Sequence, residues 1–132
     1  MRIETIINVI AEFSRGAEKI WRVLNTQGPT SQTALMNMTM LNENIFYGAI
    51  GWLARENKIN KSGAVYRLGP TNLTEKIGQD AGKLWNLLST LKEADISAIA
   101  KLSQINEADA YSALGWLARE EKIDSKNMIV FK

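Results

Sequence analysis

The chain has 132 residues, 45% hydrophobic and 23% charged, with a net charge of +2, a composition ordinary for one medium globular domain or two small ones. It contains neither cysteine nor histidine, which excludes disulfides, the usual zinc ligand sets and histidine acid-base chemistry, so neither catalysis nor a cofactor nor a metal is expected. Residues 1–68 carry eight Lys/Arg against five Asp/Glu and residues 69–132 carry eight against nine, too weak a balance to mark a nucleic-acid-binding protein by itself.

Taken in order, Ile3, Ile6, Ile7, Ile10, Phe13, Ala17, Ile20, Trp21 and Leu24 keep a 3-4 spacing, which predicts one amphipathic helix ending near Asn25, with Gly16 as a weak point. Glu4, Asn8 and Glu12 interrupt the apolar run at helical spacing, so neither a secretory core nor a membrane span is expected and the protein reads as cytoplasmic. Gln27-Gly28-Pro29-Thr30 is a turn, and Thr30 or Ser31 is placed to cap a short second helix through about Met38. Asn42-Glu43-Asn44 opens a third helix that stops near Asn57, its core face formed by Phe46, Ala49, Ile50, Leu53 and Ala54. Lys58-Ile59-Asn60 and Ala64 to Leu68 then read as two strands joined by Lys61-Ser62-Gly63. Trp21, Trp85 and the methionines Met36, Met38 and Met40 are expected in the core, methionine being adaptable filler.

Gly51-Trp52-Leu53-Ala54-Arg55-Glu56 returns letter for letter as Gly115 to Glu120, 64 residues later. In the same register, without a gap, Trp21 falls on Trp85, Asn42-Glu43 on Asn106-Glu107, Tyr47 on Tyr111 and Lys58-Ile59 on Lys122-Ile123. The chain is therefore two copies of one unit, a mainly α fold with small β-hairpin wings, in tandem: residues 1–68 with an N-terminal helical extension, a linker at 69–72, and residues 73–132. Asn72-Leu73-Thr74-Glu75 has capping-box spacing for the second copy's first helix. Units this small are marginally stable alone, so an interface between them is expected. The extension, with its four isoleucines, is expected to cover its own domain's core or to pack across to copy two or a second chain.

The Ala49 to Ile59 run, and its near repeat from Ala113 to Ile123, resemble a family of short winged helix-turn-helix proteins of unknown function from bacteria and archaea. Asp80-Ala81-Gly82-Lys83-Leu84-Trp85 is similar to that family's opening helix, and Arg15 to Trp21 is a looser match. The resemblance implies the winged helix-turn-helix fold and a role in DNA binding or regulation, with no established activity.

Two functional surfaces emerge. In a DNA-binding winged helix the third helix reads the major groove and the wing meets phosphates. Candidate nucleic-acid contacts are accordingly Asn44, Tyr47, Arg55, Lys58, Lys61 and Arg67 in copy one, with Arg119, Lys122 and Lys126 in copy two. Glu43, Glu107 and Asp109 at the leading turns oppose base reading, so sequence preference should be weak. The second surface is Gly48, Gly51 and Trp52, with Ser112, Gly115 and Trp116, all out of phase with the core. A large aromatic beside a mid-helix glycine at the same place in both copies points to close approach of another backbone, in a partner or between copies, the alternative being that each tryptophan folds over its own wing or first helix. Partners are therefore DNA, a protein or a second chain. The alternative to a DNA-binding or transcription-associated protein is an interaction adaptor that uses the scaffold without DNA.

Overall fold

The computed structural model describes residues 8–125 and 129–131. Copy one runs α1 (Val9–Gln27), β1 (Thr30–Ser31), α2 (Gln32–Thr39), α3 (Glu43–Arg55), β2 (Ile59–Ser62) and β3 (Val65–Leu68). Copy two repeats the order as α4 (Thr74–Leu91), β4 (Glu93–Ala94), α5 (Ile96–Ser103), α6 (Glu107–Arg119), β5 (Ile123–Ser125) and β6 (Ile129–Phe131). Each copy closes with a three-stranded antiparallel sheet, ordered β1-β3-β2 and β4-β6-β5. The short first strand of each sheet is not visible in the sequence: two residues carry no periodicity, and only pairing with the third strand defines them.

Local chemistry sets most boundaries. Asn8, Ser31, Asn42, Asp95 and Asn106 each accept a hydrogen bond from the backbone N–H three residues on, at 2.8–3.2 Å, fixing the starts of α1, α2, α3, α5 and α6. The expected capping box at α4 does not form, and Leu73 at its N-cap supplies no side-chain bond. The Asn72 side chain is used elsewhere, accepting from Lys61 N–H at 2.9 Å and donating to the Lys61 carbonyl at 2.6 Å. With Thr71 N–H on Asn57 Oδ1 (2.8 Å) and Asn60 Nδ2 on the Pro70 carbonyl (3.2 Å), this ties the linker to the first wing.

The two cores exchange residues. Phe13 of α1 and Ile45 of α3 lie in the cluster built by copy two, where Val9 and Ile10 also pack, whereas Ile77 of α4 lies in the cluster of copy one. Trp52 and Trp116 touch both clusters. Phe13 is fully buried and meets Tyr111 edge-on at 6.2 Å between ring centroids. The extension thus packs across to copy two over residues 9–13; Ile3, Ile6 and Ile7 lie outside the described residues.

Several expectations are corrected. Trp21 and Trp85 are 38% and 36% exposed rather than core, because each sits at the edge of its helix's apolar stripe, one step round from Ile20 or Leu84. Met38 is exposed and Met40 is 88% exposed; Met40 occupies the left-handed C-cap of α2, beyond the helical phase. Gly16 is no weak point: it is buried, and a Cβ there would lie 3.2 Å from Ala49 and from Leu41. The ungapped register breaks in the wings, since Ile59 pairs with Leu68 but Ile123 with Phe131. Hairpin two is one residue shorter, so Phe131 takes the place of Leu68 and Val130 that of Arg67. The first hairpin turns at Gly63-Ala64, between paired Ser62 and Val65.

Three groups make stability fall at alkaline pH. Burial, then the neighbouring Tyr47, raises the Tyr66 phenol well above its ordinary value. Burial, then Glu107, raises Tyr111, and hydrogen bonds to Asp80 (3.0 Å) and then Asp109 (3.2 Å) raise Lys76. A folded-state pKa above the unfolded value contributes stability that is complete below the unfolded pKa and is lost as pH rises past it. Thermal melts should therefore hold steady to about pH 9 and fall from about pH 10, where unfolded Tyr and Lys titrate. Tyr66→Phe should flatten that decline, and an unchanged alkaline slope in this variant would remove Tyr66 from the account.

Candidate functional site

The most extensive junction in the molecule is between α3 and α6, the helices that carry the repeated Gly-Trp-Leu-Ala-Arg-Glu run. Their backbones touch. A Cβ built on Gly51 would overlap the Ser112 carbonyl oxygen and lie 2.7 Å from its carbon, and a Cβ on Gly115 would do the same to Gly48. Gly48 is further closed by the Phe13 ring, whose Cζ would lie 2.7 Å from an added Cβ. Small residues at 48, 51, 112 and 115 are thus what lets the two helices approach at backbone distance.

The rest of the run completes this seam. Arg55 Nε donates to Glu120 Oε2 at 2.9 Å, and Arg119 Nε donates to Glu56 Oε2 at the same distance. The Arg55 guanidinium lies 5.7 Å from the Trp116 ring centroid and Arg119 lies 5.9 Å from Trp52, within cation-π range. Lys58 and Lys122 approach the second oxygens of Glu56 and Glu120 at 3.5 Å. Leu53, Ala54, Leu117 and Ala118 face the cores. Every residue of the repeated hexapeptide therefore has a duty in joining the copies or filling them, and the two halves relate as the subunits of a symmetric dimer do.

This geometry sorts the sequence-predicted positions. Gly48, Gly51, Trp52, Ser112, Gly115 and Trp116 are brought together between the copies, the glycines and Ser112 buried and the tryptophans half-buried. Arg55 and Arg119, expected at phosphates, are held in the cross-copy bridges. Tyr47 is half-buried, its hydroxyl accepting from Gln32 Nε2 at 3.1 Å. Asn44 is exposed at the start of α3. Lys58 opens the first wing, and Lys61 and Arg67 lie on it, opposite Tyr66 and Asn60 respectively; strand alternation puts these two on opposite faces. Copy two has Ser125 and Val130 at the corresponding sheet positions, retains Lys122, and has Lys126 outside the described residues. Among the described residues no cluster of His, Cys, Asp and Glu is arranged to hold a metal, and no helix is long and apolar enough to cross a membrane.

Sequence reasoning missed a pair of clefts. One, of about 470 Å³, lies between α1 and the end of α3; the other, of about 290 Å³, lies between α4 and the end of α6. Trp21 and Trp85 are their exposed walls. The available signal is the recurrence of Trp and Lys at the same offset, which helical phase and strand position assign instead to the core and to the wing.

A family model described as a winged helix-turn-helix domain (DUF2582) matches the chain twice, over residues 14–67 and 73–128. No curated protein matches, and neither does any solved structure.

Proposed function

This chain belongs to the DUF2582 family of winged helix-turn-helix domains, and from that premise we propose that it is a non-catalytic, transcription-associated DNA-binding protein of the cytoplasm that holds phosphates with its first wing rather than reading bases with α3. The observation that carries this reading is the mutual burial of α3 and α6. With Gly48, Gly51 and Trp52 against the other copy, α3 cannot lay that face in a major groove as a recognition helix does. The first wing carries two cations, Arg67 exposed and Lys61 half-buried with its ammonium 5.5 Å over the Tyr66 ring. Lys61 and Arg67 have no carboxylate partner among the described residues, and their opposite faces suit a hairpin lying in a minor groove with a phosphate strand on either side.

Binding is then carried by counterion release and is nearly blind to sequence. With Lys61 and Arg67 as the contacts, Lys58 being beside Glu56 at 3.5 Å, log K should fall against log salt with a slope of about −2. Lys61→Ala with Arg67→Ala should weaken binding uniformly across duplexes and flatten the slope by about two. Fluorescence anisotropy on two unrelated duplexes at several salt concentrations measures both. A slope that the double variant leaves unchanged, or a strong preference between the duplexes, would sink the wing-phosphate reading.

A second reading, a protein-interaction adaptor, is favoured by the same withdrawal of α3 together with the exposed Trp21 and Trp85. Large exposed aromatics are over-represented in protein-binding patches.

A further inference from the structure

The two clefts are copies of each other. Each residue lining the second stands 64 positions after one lining the first, among them Trp85 after Trp21, Trp116 after Trp52, Glu120 after Glu56 and Lys122 after Lys58. Glu56, Glu120 and the inner tryptophans are already committed to the seam between α3 and α6. Trp21 and Lys58, with their counterparts Trp85 and Lys122, take no part in that seam: the tryptophans are more than a third exposed and the lysine side chains 50% and 47% exposed, Trp85 meeting Phe131 at 5.5 Å and Lys122 lying 5.5 Å over the Trp85 ring. Copies that differ at most exposed positions thus keep the same tryptophan and the same lysine at the mouth of the same cleft.

We propose that these clefts are twin docking sites for a short peptide segment of a protein partner, one carrying a large apolar side chain and, within about a turn of it, a carboxylate. The indole of Trp21 or Trp85 supplies an open apolar wall for the anchor, the kind of surface on which interface energy concentrates. Lys58 or Lys122 supplies the charge. Glu56 and Glu120 are held more closely by the opposite arginine, at 2.9 Å, than by their neighbouring lysine, at 3.5 Å, so the lysine can turn to an incoming carboxylate without stranding its present partner. Each cleft's charges balance, Glu18 pairing with Arg22 in the first and Glu56 and Glu120 standing beside Lys58 and Lys122, so neither offers the excess of positive charge that a nucleic-acid strand requires. Two equivalent sites on one rigid body also favour a partner that presents the segment twice, since the second engagement is intramolecular. This inference rests on the adaptor reading and is independent of DNA binding by the wing.

The test is selection of a phage-displayed random peptide library on the intact protein, with clones counter-screened on two variants, Trp21→Ala/Trp85→Ala and Lys58→Ala/Lys122→Ala. The lysine variant alters only half-exposed side chains and keeps the measurement valid if loss of the tryptophans unfolds the chain. Enriched peptides should pair Trp, Phe or Leu with Asp or Glu, and should bind each folded variant about tenfold more weakly. Peptides that bind both variants as well as the parent would place the docking surface elsewhere, defeating the cleft assignment while sparing the adaptor reading. No enrichment at all would overturn both. Enriched peptides rich in Lys or Arg, or displacement of the selected peptides by oligothymidylate, would overturn the assigned partner chemistry.

Discussion

Gly51→Ala should destabilise the protein severely, by about 3–5 kcal/mol, although alanine in a helix interior ordinarily gains about 1 kcal/mol over glycine. The added methyl has no room: it would overlap the Ser112 carbonyl of α6, and backbone cannot give way as a flexible side chain can. The helices must separate, which opens the Arg55–Glu120 and Arg119–Glu56 bridges and loosens Trp52 and Trp116 at once. Gly115→Ala should do the same through Gly48. Gly82→Ala is the control, since nothing lies within 4 Å of a Cβ there and the position is exposed on α4; it should stabilise by up to about 1 kcal/mol. Denaturant unfolding of the three variants separates a packing effect from a propensity effect. If Gly51→Ala and Gly82→Ala move the midpoint in the same direction, the backbone contact between α3 and α6 is not what holds the copies together.

What can be read from the sequence is what local chemistry decides. Asn42 and Asn106 cap their helices where cap residues are expected, and the apolar phase of Phe46, Ala49, Ile50 and Leu53 correctly names a buried face. The glycine beside each tryptophan signals a close backbone approach but not whose backbone, because phase separates core from non-core and is silent about a partner that lies 64 residues away. The misreadings share a cause. Asn72 has good capping spacing, yet a distant competitor, Lys61, takes its side chain. Trp21 continues an apolar stripe that is narrower than its spacing suggests, so the ring ends as a cleft wall rather than core. The one-residue difference between the wings is hidden because, beyond Ile59 and Ile123, no position of one hairpin is identical to its counterpart 64 residues away. For the candidate site, the charged residues are legible and their pairing is not: Arg55 and Arg119 read as free cations until the opposite copy's glutamates are placed beside them.

Phe13→Ala should damage the copy to which the residue does not belong. The ring is fully buried, packs within the copy-two cluster and covers Gly48 where α3 crosses α6. Deleting it removes apolar contact on both sides of the seam and leaves a cavity that the close backbones cannot collapse into, at a cost of about 3–5 kcal/mol. Hydrogen exchange localises the loss: amides of α6 and of the strands behind it should lose protection at least as much as those of α2 and the first wing, although α1 is covalently part of copy one. Ile77→Ala is the reciprocal case, and its deficit should fall on copy one, whose cluster holds that side chain. Removing residues 1–12 should weaken both halves for the same reason, through Val9 and Ile10, which pack against the copy-two core. Independent domains joined by a linker would behave otherwise, each substitution lowering protection only in its own copy. That result would mean that the exchange of Phe13 and Ile77 contributes little, and that each copy is held up by its own core.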